Sequence, residues 1–194
     1  MSNPDSILRE IEQMRGEGNL PIIGPERGKI LDEAVRNAKP RRVLEIGTLV
    51  GYSTIRIARL LPKGGKIIAV ERDPKIARVA KRNIERAGFS DRVEVIVGDA
   101  KYVLPTLTGE FGLVFIDASK DEYFRYLKLV EPRLKSGSVV VADNVRVFAN
   151  DMKDYLSYVR TSGNYRSRYH EPTTRSSADI IDGVEVSEFV NPEI

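Results

Sequence analysis

Two short segments end in side chains that hold hard cations: Phe115-Ile-Asp-Ala-Ser-Lys120 and Val141-Ala-Asp-Asn144. If the segments are the ends of neighbouring strands, Asp117, Asp143 and Asn144 converge at one edge. Three hard oxygen ligands with room for water suit Mg²⁺ or a similar divalent ion, and not zinc. Lys120 lies one helical step beyond Asp117 and faces the same crevice. A divalent ion nearby disfavours its ammonium form and so equips it as a general base. The plainer alternatives are that Asp117 N-caps a helix starting near Asp121 and that Asp143-Asn144 is an ordinary turn pair.

A second group of residues surrounds Val43-Leu-Glu-Ile-Gly-Thr-Leu-Val-Gly-Tyr-Ser-Thr-Ile55. Gly47 follows a β-rich run and Gly51 precedes a helical one, as a ligand-holding turn at a strand end requires. The G-x-G-x-x-G fingerprint that closes on a pyrophosphate is missing, which weakens an NAD-dependent reading, and no Gly-Lys-Ser/Thr follows to make a P-loop. A ligand with an adenosine but no phosphate needs less of this crowding, and S-adenosylmethionine is such a ligand. Glu71 closes the next strand, where a carboxylate accepts hydrogen bonds from both ribose hydroxyls. Gly98-Asp99-Ala100 closes the third, where an adenine contact is expected. Each signal also has a structural explanation, an exposed strand-end carboxylate or a tight turn; together, at three successive strand ends, they favour the cofactor.

The elements that must position these groups follow from periodicity. Apolar or β-rich runs at Val43–Ile46, Lys66–Val70, Val93–Val97, Leu113–Ile116 and Ser138–Ala142 alternate with helical segments at Thr54–Leu61, Lys75–Ala87, Glu122–Leu134 and Asn150–Arg160. Runs such as Ile67-Ile-Ala-Val70 are apolar throughout, as in a parallel sheet buried on both faces. The pattern predicts an α/β, doubly wound, Rossmann-like domain. Two helices, around Asp5–Arg15 and Glu26–Ala38, precede it and are split by the glycines and prolines between 16 and 25. Tyr165–His170 and Val184–Phe189 alternate like half-exposed strands, so an antiparallel pair is expected to finish the sheet. The expected organisation is one domain over 1–194, with N-terminal helices and a cofactor-closing loop in 1–40 and the Rossmann-like core in 41–194.

Composition narrows the chemistry. The 194 residues include no cysteine and one histidine, which removes disulfides, thiolate nucleophiles and His-cluster metal sites. The net charge of +3 is a narrow surplus of 31 basic over 28 acidic residues, so it permits a nucleic-acid partner without arguing for one. No apolar run reaches the length of a membrane span, and a cytoplasmic protein is expected. The lack of cysteine, a single glutamine and the many charges suggest a thermophilic source.

Taken in order, residues 43–53, Glu71, Phe-Ile-Asp-Ala-Ser-Lys-Asp (115–121) and Ala-Asp-Asn (142–144) resemble the cation-dependent O-methyltransferases, the group of the catechol and caffeoyl-coenzyme A enzymes. The resemblance spans Gly24 to Asn144, with a weaker match at Asp182-Gly-Val-Glu-Val186. It implies a Rossmann-like class I methyltransferase in which Glu45, Gly47, Thr48 and Ser53 hold the methionine part of S-adenosylmethionine, with Tyr52 nearby. It further implies Glu71 at the ribose, Asp99 and Ala100 at the adenine, Arg72 among the cofactor contacts, and Ile22 and Ile23 walling the methyl group. Asp117, Asp143 and Asn144 become metal ligands, Asp117 also borders the cofactor, and Lys120 is the base. The implied acceptor is a small catechol-like vicinal diol, and a homodimer is usual in the family. Ala118 and Ser119 stand where the animal catechol enzymes carry bulkier aromatic types, and the segment after Asn144 lacks the insertion of the plant enzymes, which suggests an open acceptor site. Two alternatives remain. Some relatives methylate a transfer-RNA hydroxyuridine, and Tyr165-Arg-Ser-Arg-Tyr-His170 with Arg175 interleaves aromatic and basic residues, although a plain exposed strand is favoured. The other is a non-catalytic S-adenosylmethionine-binding module, against which the intact Lys120 and metal candidates argue.

Overall fold

The apolar runs form the centre of one seven-stranded sheet. The structure, a computed structural model, describes residues 3–18, 20–172 and 182–190. Its strands are β1 (Arg42–Ile46), β2 (Lys66–Glu71), β3 (Val93–Val97), β4 (Leu113–Ile116), β5 (Val139–Ala142), β6 (Tyr165–His170) and β7 (Val184–Phe189), in the order β3-β2-β1-β4-β5-β7-β6. The first five are mutually parallel, whereas β7 pairs antiparallel with β5 and β6 pairs antiparallel with β7. The terminal antiparallel pair is therefore present as expected.

Helices α1 (Pro4–Gly18), α2 (Gly24–Ala38), α3 (Tyr52–Ala58) and α4 (Pro74–Arg86) belong to one face of this sheet; α5 (Ala100–Val103), α6 (Tyr123–Val130) and α7 (Lys153–Thr161) belong to the other. Because strand side chains alternate, successive residues of the buried strands feed opposite cores. Val43, Ile67, Leu113 and Phe115 pack with Ile7, Leu31, Val35 and Ile55. Leu44, Ile68, Val114 and Ile116 pack with Tyr123, Leu127 and Tyr155. That double burial is why these runs read as continuously apolar.

Element ends differ from the periodicity reading where local chemistry intervenes. The helix expected over Glu122–Leu134 contracts to α6, flanked by 3₁₀ turns at Lys120–Glu122 and Glu131–Arg133. Pro132 lacks the N–H that a continuing helix needs. The short α5 was not expected; Asp99 caps it, accepting from the Lys101 N–H at 2.9 Å. Among the described residues no helix is long and apolar enough to cross a membrane.

The chain leaves β1 for β2 and β3, then returns to place β4 on the opposite side of β1. That reversal opens a crevice at the carboxyl ends of β1 and β4, the ligand position of open α/β sheets. A buried charge cluster docks the N-terminal helices beside it. Both oxygens of Asp32 on α2 accept from Arg56 on α3, at 3.0 and 2.8 Å, and Arg59 adds a third bond at 2.8 Å.

Candidate active site

The turn after β1 has its two glycines for two different steric reasons. Gly47 continues the ladder by donating to the Val70 carbonyl at 3.0 Å, yet its φ is +93°. A Cβ there would collide with the backbone carbonyl of Asp117 at the end of β4. Gly51 caps α3 with φ +87°, and its Cβ would approach the Ala80 carbonyl of α4 to 3.3 Å. Between them Leu49 also sits at positive φ, +47°. Glu71 holds it there, accepting from the Leu49 N–H and the Asp73 N–H, each at 3.0 Å. One lone pair on each Glu71 oxygen is thus committed to backbone, and the others face the crevice.

Glu45 lies beneath the turn rather than on the crevice wall. It is fully buried, and the hydroxyls of Ser53 and Thr54 at the start of α3 each donate to one of its oxygens. Thr48 approaches at 3.5 Å. Burial, countered by these hydroxyls, pushes its carboxyl from 4.5 up to about 7. The folded state therefore binds more protons than the unfolded chain between those values, and stability falls as pH rises from 4.5 through 7. At about 1.4 kcal/mol per pH unit the whole fall is roughly 3 kcal/mol. Glu45→Gln is expected to flatten that fall; urea unfolding at pH 5 and pH 8 that gives wild type and variant the same pH dependence would contradict this origin.

At the ends of β4 and β5 the register pairs Ile116 with Ala142, so Asp117 and Asp143 emerge side by side. Lys120 Nζ lies 2.7 Å from Asp117 Oδ1 and 2.8 Å from the Tyr123 hydroxyl, which itself donates to the Asp143 carbonyl at 3.3 Å. Asp117 does not cap a helix: Ser119 occupies the capping position of the following turn. Asp143 is 1% exposed, and neither of its carboxylate oxygens has a hydrogen-bond partner among the described residues. Burial first, then the nearby Asp117 charge, raises its carboxyl well above the usual range, against the pull of Arg27 and Lys120.

Asn144 adopts φ +64°, a conformation asparagine tolerates better than most residues. Its Nδ2 donates to Asp182 Oδ2 at 2.8 Å, which leaves its Oδ1 as the acceptor. No group of three or more His, Cys, Asp or Glu side chains that could hold a metal occurs among the described residues. The oxygen set is two carboxylates and one amide. It fits a hard divalent ion, because such an ion satisfies the orphaned Asp143 oxygens and uses the amide oxygen.

Asp182 and Arg27 are members of the site that sequence reasoning missed. Asp182 Oδ1 accepts from the backbone N–H groups of Gly183, Arg146 and Val147 at 2.9, 3.1 and 3.2 Å, so the loop after β5 folds around it. Its only signal was the weak Asp-Gly-Val match before β7. Arg27, in the first turn of α2, reaches Asp182 Oδ2 and Asp143 Oδ1, each at 3.0 Å. Nothing in its spacing announced this.

These groups border one cleft of about 770 Å³. Ile23, Gly47, Thr48, Tyr52, Ser53, Glu71, Arg72, Asp99, Ala100, Asp117, Lys120 and Asn144 all line it; Glu45 and Asp143 stand behind its wall. Leu20, Pro21 and Ile22 line it from the segment before α2, and Phe148 from the loop after β5. Lys101 forms ion pairs with Asp99 at 3.7 Å and Glu122 at 3.5 Å at the Asp99 end. The aromatic-basic strand Tyr165–His170 is the sheet edge. Its Tyr165 turns inward against Phe189 and bonds Glu131, and Arg166 pairs with Glu188 at 3.7 Å. Arg175 lies outside the described residues.

The O-methyltransferase family model matches residues 4–155. Catechol O-methyltransferase B of Danio rerio is 42% identical over 199 residues, covering 97% of this chain and 73% of that protein. Catechol O-methyltransferase of Niastella koreensis is 40% identical over 147 residues, covering 73% of this chain and 66% of that one. Among solved structures, an O-methyltransferase from Bacillus cereus in complex with SAH superposes with a TM-score of 0.83 at 32% identity, over 95% of this chain and 90% of its own. The O-methyltransferase TomG from Streptomyces achromogenes, in complex with SAM, gives 0.84 at 28% identity over the same shares.

Proposed function

This chain belongs to the O-methyltransferase family, and from that premise we propose that it transfers the methyl group of S-adenosylmethionine to one hydroxyl of a vicinal, catechol-like diol. In this reading Asp117, Asp143 and Asn144 hold a divalent cation and Lys120 is the general base. The observation that carries it is the Asp143 carboxylate, buried beside Asp117 with neither oxygen hydrogen-bonded. Arg27 offsets part of that buried charge as an ion pair at 3.0 Å but leaves both oxygens without a hydrogen bond, and a divalent ion would complete the compensation.

The residues divide the work along the cleft. Glu71 receives the ribose hydroxyls while its remaining lone pairs hold Leu49 and Asp73 in place. Asp99 and Ala100 border the adenine, and Arg72 lines the same part of the cleft beside Glu71. Gly47, Thr48 and Ser53 bring backbone and hydroxyls to the methionine part, braced from below by Glu45. Ile22, Ile23 and Tyr52 exclude water from the methyl group. The cation, when bound, supplies the charge that acidifies a chelating hydroxyl and fixes its oxygen. Lys120, held between Asp117 and Tyr123, takes the hydroxyl proton, and the oxygen displaces the methyl group from sulfur in one step. Holding the two reactants in line is the main contribution of such a site.

The test is a methyl-transfer screen over catechols, flavonoids and bulk transfer RNA, with Mg²⁺ and with excess chelator. Turnover on small vicinal diols that falls to background in chelator is the expected result. Undiminished turnover in chelator removes the cation from the mechanism, and turnover confined to RNA replaces the acceptor.

A further inference from the structure

Each carboxylate of the oxygen set already has a cation from the chain beside it. Asp117 has Lys120, which comes from the adjoining turn. Asp143 has Arg27, which comes from α2, far away in sequence and 15% exposed. The Arg27 contact is an ion pair without being a hydrogen bond: Nη1 is 3.0 Å from Asp143 Oδ1, yet that oxygen has no hydrogen-bond partner. The same Nη1 does donate a hydrogen bond to Asp182 Oδ2. Asp182 in turn holds the Asn144 amide and the backbone of the loop after β5. The guanidinium is thus hydrogen-bonded to Asp182 and meets Asp143 as an ion pair.

We propose that Arg27 is a positioning residue that serves as a built-in counter-cation for the metal centre. It compensates Asp143 when no divalent ion is present and, by its unrelieved positive charge beside the ligand, holds the centre's affinity for that ion down. The inference rests on the divalent-cation reading above. Its physical basis is that a hydrogen-bonded carboxylate must be stripped of donors before it can coordinate, whereas one balanced only by a nearby charge keeps its lone pairs available. The anchorage on Asp182 keeps the guanidinium in place once the ion arrives, so the two like charges remain close in a site with little water.

The consequence is opposite to that of losing a ligand. Arg27→Gln, which keeps donors for Asp182 but removes the charge, is expected to tighten the calorimetric Kd for Mn²⁺ by about tenfold, as is Arg27→Met, should either variant fold less well. Arg27→Lys retains the charge and is expected to stay within about threefold of wild type. The metal-free neutral variants are also expected to melt at lower temperature than wild type, with the deficit removed by Mn²⁺. An unchanged or weakened Kd in the neutral variants, with wild type binding Mn²⁺ normally, overturns the role of Arg27 and leaves the cation reading standing. Absence of Mn²⁺ binding to wild type overturns both.

Discussion

Asp117→Ala is expected to reduce chelator-sensitive methyl transfer by about a thousandfold or more, roughly 4 kcal/mol of barrier, with affinity for S-adenosylhomocysteine changed by less than about tenfold. Asp117 stands where the two halves of the cleft meet. Its N–H continues the sheet by donating to the Ile46 carbonyl at 2.9 Å, its carbonyl packs on Gly47, and its carboxylate pairs with Lys120 at 2.7 Å. Truncation removes one carboxylate of the oxygen set and the anchor of the base together. It leaves Glu71, Asp99 and the glycine turn, which are the main adenosine and methionine contacts in the proposed site, untouched. Calorimetry with the product cofactor, beside turnover with a vicinal diol, separates the two effects. Activity within tenfold of wild type, or a parallel collapse of cofactor affinity, would refute this division of labour.

Gly47→Ala is expected to be the most destabilising single-methyl change in the turn, costing about 3 kcal/mol or more. Two penalties add: a non-glycine residue at φ +93° is strained by about 1–2 kcal/mol, and its Cβ enters the space of the Asp117 carbonyl. That neighbour is backbone at the end of a parallel strand and cannot rotate away, so the strands must part at the mouth of the proposed cofactor site. Gly51→Ala supplies the control. Its φ is similarly positive at +87°, but its Cβ would stand 3.3 Å from the nearest atom, so the strain remains and the collision is much reduced. Urea denaturation of both variants should rank Gly47→Ala well below Gly51→Ala. Equal stabilities would show that φ alone, and not the crossing of β4, requires glycine at 47.

Much of the fold was legible because burial on both sheet faces writes itself as continuous apolar strands, and Asp117, Asp143, Glu71 and Asp99 sit at strand ends that periodicity locates. Glu45, which the resemblance implies at the methionine part of the cofactor, is buried beneath the glycine turn on the Ser53 and Thr54 hydroxyls, and alternation, which assigns a strand residue to a face, does not reveal which hydroxyls will meet it. Helix ends near Pro132 and the short α5 were obscured for a related reason: caps and 3₁₀ turns depend on single local bonds, not on period.

The sequence by itself determined the order of strands and helices, the glycine turn and the oxygen-bearing strand ends, because each depends on residues close together in the chain. Only the tertiary structure decided that β4 lies against β1, that Asp143 is buried without a hydrogen bond, and that Arg27 and Asp182 meet behind Asn144. Those contacts join segments distant in sequence, whose charges say nothing of their partners until the sheet reversal brings them within reach.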